Sequence, residues 1–141
     1  LAENLAPVIT SNGGGATAAL SMAENTTAVT TVTATDPDVG DTVTYTIIGG
    51  ADAGLFDIDA ATGELTFIAA PDFEAPGDAG GDNVYDLVVE ASDGTLTDTQ
   101  ALAVTVTDLA ENLAPVITSN GGGTTAALSM AENTTAVTTV T

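Results

Sequence analysis

The chain has 141 residues, with 20 Asp and Glu and no Lys, Arg or His, for a net charge of −20. That balance excludes side-chain salt bridges and argues against nucleic acid or an anionic membrane as partner, since both are recognised through Lys and Arg. The absence of Cys excludes disulfides and thiolate metal sites, while an apolar content of 44% is that of a folded domain rather than a disordered acidic tail.

Taken in chain order, Pro7 to Thr10 reads as a short first strand that begins at a proline, as an edge strand tolerates. Asn12 to Gly15 is a break. Thr17 to Met22 resumes extended structure with Leu20 and Met22 on one face, and Ala23-Glu24-Asn25 is a polar turn. Ala28 to Thr35 is the second strand, with Thr30, Val32 and Ala34 on one face. The segment 36–41, DPDVGD, is a loop with strong turn chemistry. Thr42 to Ile48 alternates, placing Val43, Tyr45 and Ile47 inward. Leu55 to Asp59 and Glu64 to Ala69 read as a hairpin around the turn 60–63, with Phe56, Ile58, Leu65 and Phe67 inward. Ala70 to Asn83 is a long acidic loop rich in Gly and Pro. Val84 to Ser92 buries Tyr85, Leu87, Val89 and Ala91, and Thr99 to Thr107 buries Leu102, Val104 and Val106. No segment has a helical period. Short strands at this spacing predict a seven-stranded antiparallel Greek-key β-sandwich.

The sequence also repeats itself. LAENLAPVITSNGGG begins at Leu1 and again at Leu109, and of the 33 pairs aligned at an offset of 108 only Ala16 against Thr124 differs. A period this long indicates an array of domains. Residues 1–108 are read as one complete repeat, linkers included, and 109–141 as the opening third of the next. Both ends fall inside a repeat, so the 141 residues read as a window on a longer chain. The segment 109–141 carries the first two strands of a sandwich, with Val116, Ile117, Leu128, Met130, Val137 and Val140 to bury. Two strands alone are marginal in water. The segment is therefore continued by further residues, the favoured reading, or completed by another chain through strand donation.

The ordered motifs resemble those of a cadherin repeat, of the kind found in tandem in large bacterial surface and secreted proteins. AEN at 23–25 is similar to the family's Pro-Glu-Asn. DPDVGD with Tyr45 is similar to its Asp-x-Asp-x-Gly loop and following Tyr. FDIDAATGEL at 56–65 matches its Phe-x-Ile…Thr-Gly-x-Leu hairpin, DFE at 72–74 its Asp-x-Glu, and YDLVVEASDG at 85–94 its Tyr-x-Leu-x-Val-x-Ala-x-Asp strand. The linker DLAENLAP, 108–115, departs from the family's Asp-x-Asn-Asp-Asn-x-Pro: Ala110 stands for its first Asn, Glu111 for its Asp, and one extra residue separates Asn112 from Pro115. The resemblance implies an immunoglobulin-like sandwich in tandem array, located outside the cell or on its surface, with Ca²⁺ between successive repeats. It implies that Glu24, Asp72, Glu74, Asp108, Glu111 and Asn112 face one junction. Asp36, Asp38 and Asp93 face the other, joined by Glu3 and Asn4 of the preceding linker.

Hard cations take six to eight oxygen ligands, and the acidic residues here fall at loops and strand ends. Asp52, Asp57, Asp59, Asp78, Asp82, Asp86 and Asp98 are read instead as solvated loop carboxylates. Asp41 is either a ligand or a turn residue. An enzyme is disfavoured, because the common bases, nucleophiles and oxyanion clamps are missing. A carboxylate pair such as Asp72 and Glu74 is compatible with glycoside cleavage, but five Phe and Tyr, most of them inward, leave no platform for sugar. Asn25-Thr-Thr and Asn133-Thr-Thr fit the glycosylation sequon, a chance match in so Thr-rich a chain. The expected function is a calcium-stiffened structural repeat of an extracellular filament or adhesin stalk. Its partners are adjacent repeats of the same protein and, in a filament, other copies of the chain. The alternative is an adhesive module for carbohydrate or homophilic protein contact, with strand donation between subunits as one route of assembly.

Overall fold

The computed structural model describes residues 3–112 and 114–141. The described residues up to Leu109 form one compact unit and those from Ala110 a second. The first unit is all β, with nine extended segments: β1 (Val8–Ile9), β2 (Thr17–Ala23), β3 (Ala28–Thr31), β4 (Ala34–Thr35), β5 (Thr44–Gly49), β6 (Phe56–Ile58), β7 (Glu64–Phe67), β8 (Val84–Ser92) and β9 (Thr97–Thr107). These nine are seven strands, because the first and second strands are each interrupted. β1 and β2 are one strand that changes sheet, and β3 and β4 are one strand broken at Val32 and Thr33.

One layer of the sandwich holds β3-β7-β6 together with the β1-β4 pair, and the other holds β2-β9-β8-β5. All pairings are antiparallel except β2 with β9, which is parallel, Thr17 facing Ala101 and Ala23 facing Thr107. The exception follows from the layer change, since a strand that crosses between sheets without turning back keeps its direction. The crossing at residues 11–15 is a kink of left-handed residues, Asn12 at φ 53° and Gly13 and Gly14 at 86° and 70°. The fully buried Gln100 braces it. Its Nε2 donates to Ser11 O (3.2 Å) and Gly15 O (2.9 Å), and its Oε1 accepts from Asn12 Nδ2 (3.2 Å).

The alternating side chains of β8 and β9 supply the centre of the core: Tyr85, Leu87, Val89, Ala91, Leu102, Val104 and Val106 are all buried. Phe56, Leu65 and Phe67 meet them from the other layer, with Val32 and Ile9, while Tyr45 of β5 joins the core from the sheet of β8 and β9 itself. Phe67 stacks on Phe56 at 4.2 Å between ring centroids and meets Tyr85 edge-on at 5.0 Å. Each such side chain contributes about 1.5–3 kcal/mol by leaving water. The phenol groups also organise the surface: Tyr45 Oη accepts from Ala34 N and Tyr85 Oη from Gly77 N, both at 3.0 Å.

Three expectations are corrected. Residues 28–35 are not one continuous strand, because the second strand breaks at Val32, where its N–H donates to Gly63 O (2.8 Å) in the β6–β7 turn. Residues 53–55 form a 3₁₀ turn that leads into β6, so the hairpin starts at Phe56 rather than Leu55. In the second unit, the described residues hold no strand and only a 3₁₀ turn at Ser119–Gly121. There Ile117 and Val140 are 56% and 68% exposed, whereas their counterparts Ile9 and Val32 are 1% and 0% exposed in the first unit. The same side chains are buried only where the rest of a sandwich covers them.

Candidate metal centres

Strand direction sorts the acidic loops to two ends of the sandwich. Because β2 runs parallel to β9, their C-terminal residues Ala23 and Thr107 sit side by side. Glu24 and Asp108 follow directly. At the other end of β9, Ser92 of β8 pairs with both Thr97 and Thr44. Asp93 therefore joins the 36–41 loop that precedes β5.

At the first end, Glu24, Glu74 and Asp108 each bring a carboxylate oxygen within 4.8 Å of the others. Glu24 is fully buried, although its neighbours are exposed. Its N–H donates to Thr107 O (3.1 Å), its Oε1 accepts from Leu109 N (2.9 Å) and its Oε2 from Phe73 N (2.8 Å). One side chain thus ties the segment after β9 to the Asp72–Glu74 turn. Asp72 shapes that turn by accepting from Glu74 N at 3.0 Å. The AEN turn holds its form because Asn25 takes the left-handed conformation, φ 63°, as Asn does more readily than most residues.

At the second end, Asp36, Asp41 and Asp93 converge within the same 4.8 Å. Asp36 Oδ1 accepts from Asp38 N (2.7 Å), while its Oδ2 is buried without a partner. Asp38 Oδ2 accepts from Leu5 N (2.6 Å), and Asn4 Nδ2 donates to Asp93 Oδ2 (3.0 Å). Asp93 Oδ1 accepts from both Leu96 N and Thr95 N at 2.7 Å, and these bonds hold its carboxyl below the usual aspartate range. Asp41 is pushed the other way, by desolvation and then by the charges of Asp36, Asp38 and Asp93.

The donor chemistry fits a hard divalent cation. Every candidate ligand is an oxygen, no side chain can supply positive charge, and a buried Asp36 oxygen has no donor to satisfy it. Calcium takes just such carboxylate and amide oxygens.

Of the residues singled out from the sequence, Glu24, Glu74 and Asp108 meet at one end, and Asp36 and Asp93 at the other. Asp41, open between two readings, belongs with the latter pair. Asp38 and Asp72 lie beside these clusters and hold their loops. Glu111 and Asn112 belong to the second unit.

The expectation that Asp52, Asp78 and Asp98 are merely solvated is overturned. Asp52, 4% exposed, accepts from Ala79 N (2.7 Å) and Asp86 N (2.8 Å). Asp78, 7% exposed, accepts from Asn83 N (2.9 Å) and Asp82 N (3.0 Å). Burial alone would raise the Asp78 pKa; the N–H groups of Asp82, Asn83 and Gly81 outweigh it and hold the carboxyl low. Asp98 Oδ2 accepts from Ile9 N at 2.8 Å and so pins β1. The clustered Asp and Gly of 78–83 were a legible signal of a self-bonded turn. Asp52 had none, since its donors lie 27 and 34 residues away.

The first unit is thus a two-layer β-sandwich domain with a carboxylate cluster at each end. The cadherin-domain family model matches residues 18–107, and the chain belongs to the cadherin family. It is 38% identical over 73 residues to human Protocadherin Fat 1, covering 50% of this chain and 2% of that protein. It is 46% identical over 50 residues to Drosophila melanogaster Protein dachsous, covering 34% and 1%. Among solved structures, the extracellular domain of Protocadherin GammaB4 superposes with a TM-score of 0.59 at 29% identity, covering 73% of this chain and 16% of that one. The chain thus spans 2% or less of the length of these curated relatives. Cadherin domains are extracellular structural repeats of the adhesion type, and they generally bind Ca²⁺. Among the described residues, no helix is long and apolar enough to cross a membrane.

Proposed function

We propose that the chain is a non-catalytic structural repeat whose junctions are stiffened by calcium, within an extracellular filament or adhesin stalk. The observation that carries this reading is the pair of carboxylate clusters at opposite ends of one sandwich, in a chain without a single cationic side chain. Glu24, Glu74 and Asp108 would hold an ion at one end, and Asp36, Asp41 and Asp93 at the other, with Asp38 and Asn4 beside them. The family resemblance extends the first set to Asp72, Glu111 and Asn112. Bound calcium would supply the positive charge that the sequence lacks.

Near-identity of the two copies supports a spacer, because recognition domains within one chain tend to diverge. Residues 1–108 are proposed as a full repeat and 109–141 as the covalent opening of the next. Adjacent repeats are then the main partners. The test is a tandem protein of several repeats. In millimolar calcium it melts higher and its radius of gyration rises. An unchanged melting temperature and radius on adding chelator would refute the reading.

A further inference from the structure

The acidic loop at residues 70–83 is longer than a turn between β7 and β8 needs, and its far end approaches the first carboxylate cluster. Asn83 is 8% exposed and left-handed, φ 62°. Four of its groups can be followed. Its N–H donates to Asp78 Oδ1 (2.9 Å), so the turn 78–83 holds it in place. Its side-chain Nδ2 donates to Phe73 O (3.0 Å), and the N–H of that same Phe73 donates to Glu24 Oε2. Its carbonyl accepts from Val106 N (2.9 Å), two residues before Asp108. Its Oδ1 is buried without a partner.

Asn83 is therefore bonded to the segment that carries Glu74 and to the strand end that carries Asp108. Through Phe73 it also reaches the buried Glu24. We infer that Asn83 is a positioning residue for the first cluster, fixing the separation of its carboxylates before any cation arrives. The inference rests on the calcium reading above and adds a residue outside the carboxylate set. The physical basis is general. Ligand affinity depends on partners that orient the ligands, and their loss costs roughly 10–100-fold in metal affinity. The side chain here holds a backbone carbonyl rather than a carboxylate, so the effect belongs at the lower end of that range. Asn suits the position because the left-handed backbone disfavours most side chains. Glycine tolerates the same φ, so Asn83→Gly removes the bond to Phe73 O while keeping the backbone bonds to Asp78 and Val106.

The two ends of the sandwich provide an internal control. Calcium chloride is titrated into the ¹⁵N-labelled 141-residue protein while amide shifts are followed. Phe73 and Leu109 N–H, both on Glu24, report the first cluster. Thr95 and Leu96 N–H, both on Asp93, report the second. In Asn83→Gly the calcium midpoint read at Phe73 and Leu109 rises about tenfold, while that read at Thr95 and Leu96 stays at the wild-type value. An unchanged midpoint at Phe73 and Leu109 overturns the positioning role and leaves the calcium reading standing. Equal loss at both ends also overturns it, since a general folding defect does not discriminate between clusters. A wild-type protein without a saturable response at either pair of reporters refutes the calcium reading itself, and this inference with it.

Discussion

Replacing Glu24 by Gln tests whether the first cluster is a cation site or a cluster of chance. Its three carboxylates lie within 4.8 Å of one another. Two charges at that separation repel by about 1 kcal/mol in water and about 3 kcal/mol at an effective dielectric near 20. The substitution abolishes the two repulsions that involve Glu24, a relief of roughly 2–6 kcal/mol. It also weakens the acceptors for Phe73 N–H and Leu109 N–H. Hydrogen bonds to a charged group contribute about 1.5–3 kcal/mol each, and the amide keeps one oxygen acceptor, so the loss is roughly 2–4 kcal/mol. In chelator the two effects nearly cancel. In calcium they do not. One site at 100 times its dissociation constant stabilises the fold by about 2.7 kcal/mol, and two sites by about 5 kcal/mol. Urea denaturation with and without calcium measures the increment directly. Glu24→Gln is expected to cut the calcium increment to about half the wild-type value, with little change in chelator. A full increment in the variant would show that the cluster holds no ion. A large loss in chelator with the increment intact would make Glu24 a folding residue alone.

Asp52→Asn, which removes a buried charge with two backbone donors, is expected to cost about 2–4 kcal/mol in urea denaturation. Asp57→Asn on the exposed face should stay within about 0.5 kcal/mol, and equal effects would refute the distinction. Gly63→Ala is expected to destabilise by more than about 3 kcal/mol, because a Cβ there would stand 2.0 Å from Val32 O at φ +75°; a shift of melting temperature below a few degrees would contradict the packing. Acid sensitivity follows from Asp59, held low by the backbone N–H groups of Thr62 and Ala61, and from Asp78. Folded-state values below 3.8 mean that their stabilisation is complete above pH 3.8 and is lost as the pH falls through the lowered values. Melting curves between pH 5 and about 2 should therefore be flatter for Asp59→Asn and Asp78→Asn than for the wild type, and parallel curves would exclude the effect.

The core was legible because alternation is a local property. Tyr85, Leu87, Val89 and Ala91 are separated by single residues, and a pleated strand sends every second side chain to one face. The turns were legible for the same reason, since Asp-Gly and Thr-Gly impose their geometry on their immediate neighbours. Calcium chemistry entered through ordered acidic motifs, but their grouping did not. Glu24 reads as one carboxylate in a polar turn, yet it is buried and accepts from backbone donors 49 and 85 residues away. Asp41 joins Asp36 and Asp93 only because β5 starts opposite the end of β8. Asp52, Asp78 and Asp98 look like their solvated neighbours until the folded chain brings backbone N–H groups to them. The break at Val32 and the parallel run of β2 along β9 likewise depend on which sheet receives each segment. Residue pattern determines which way a side chain faces along its own strand. Whether a carboxylate meets water, a backbone donor or another carboxylate depends on residues distant in sequence, and only the tertiary structure decides that.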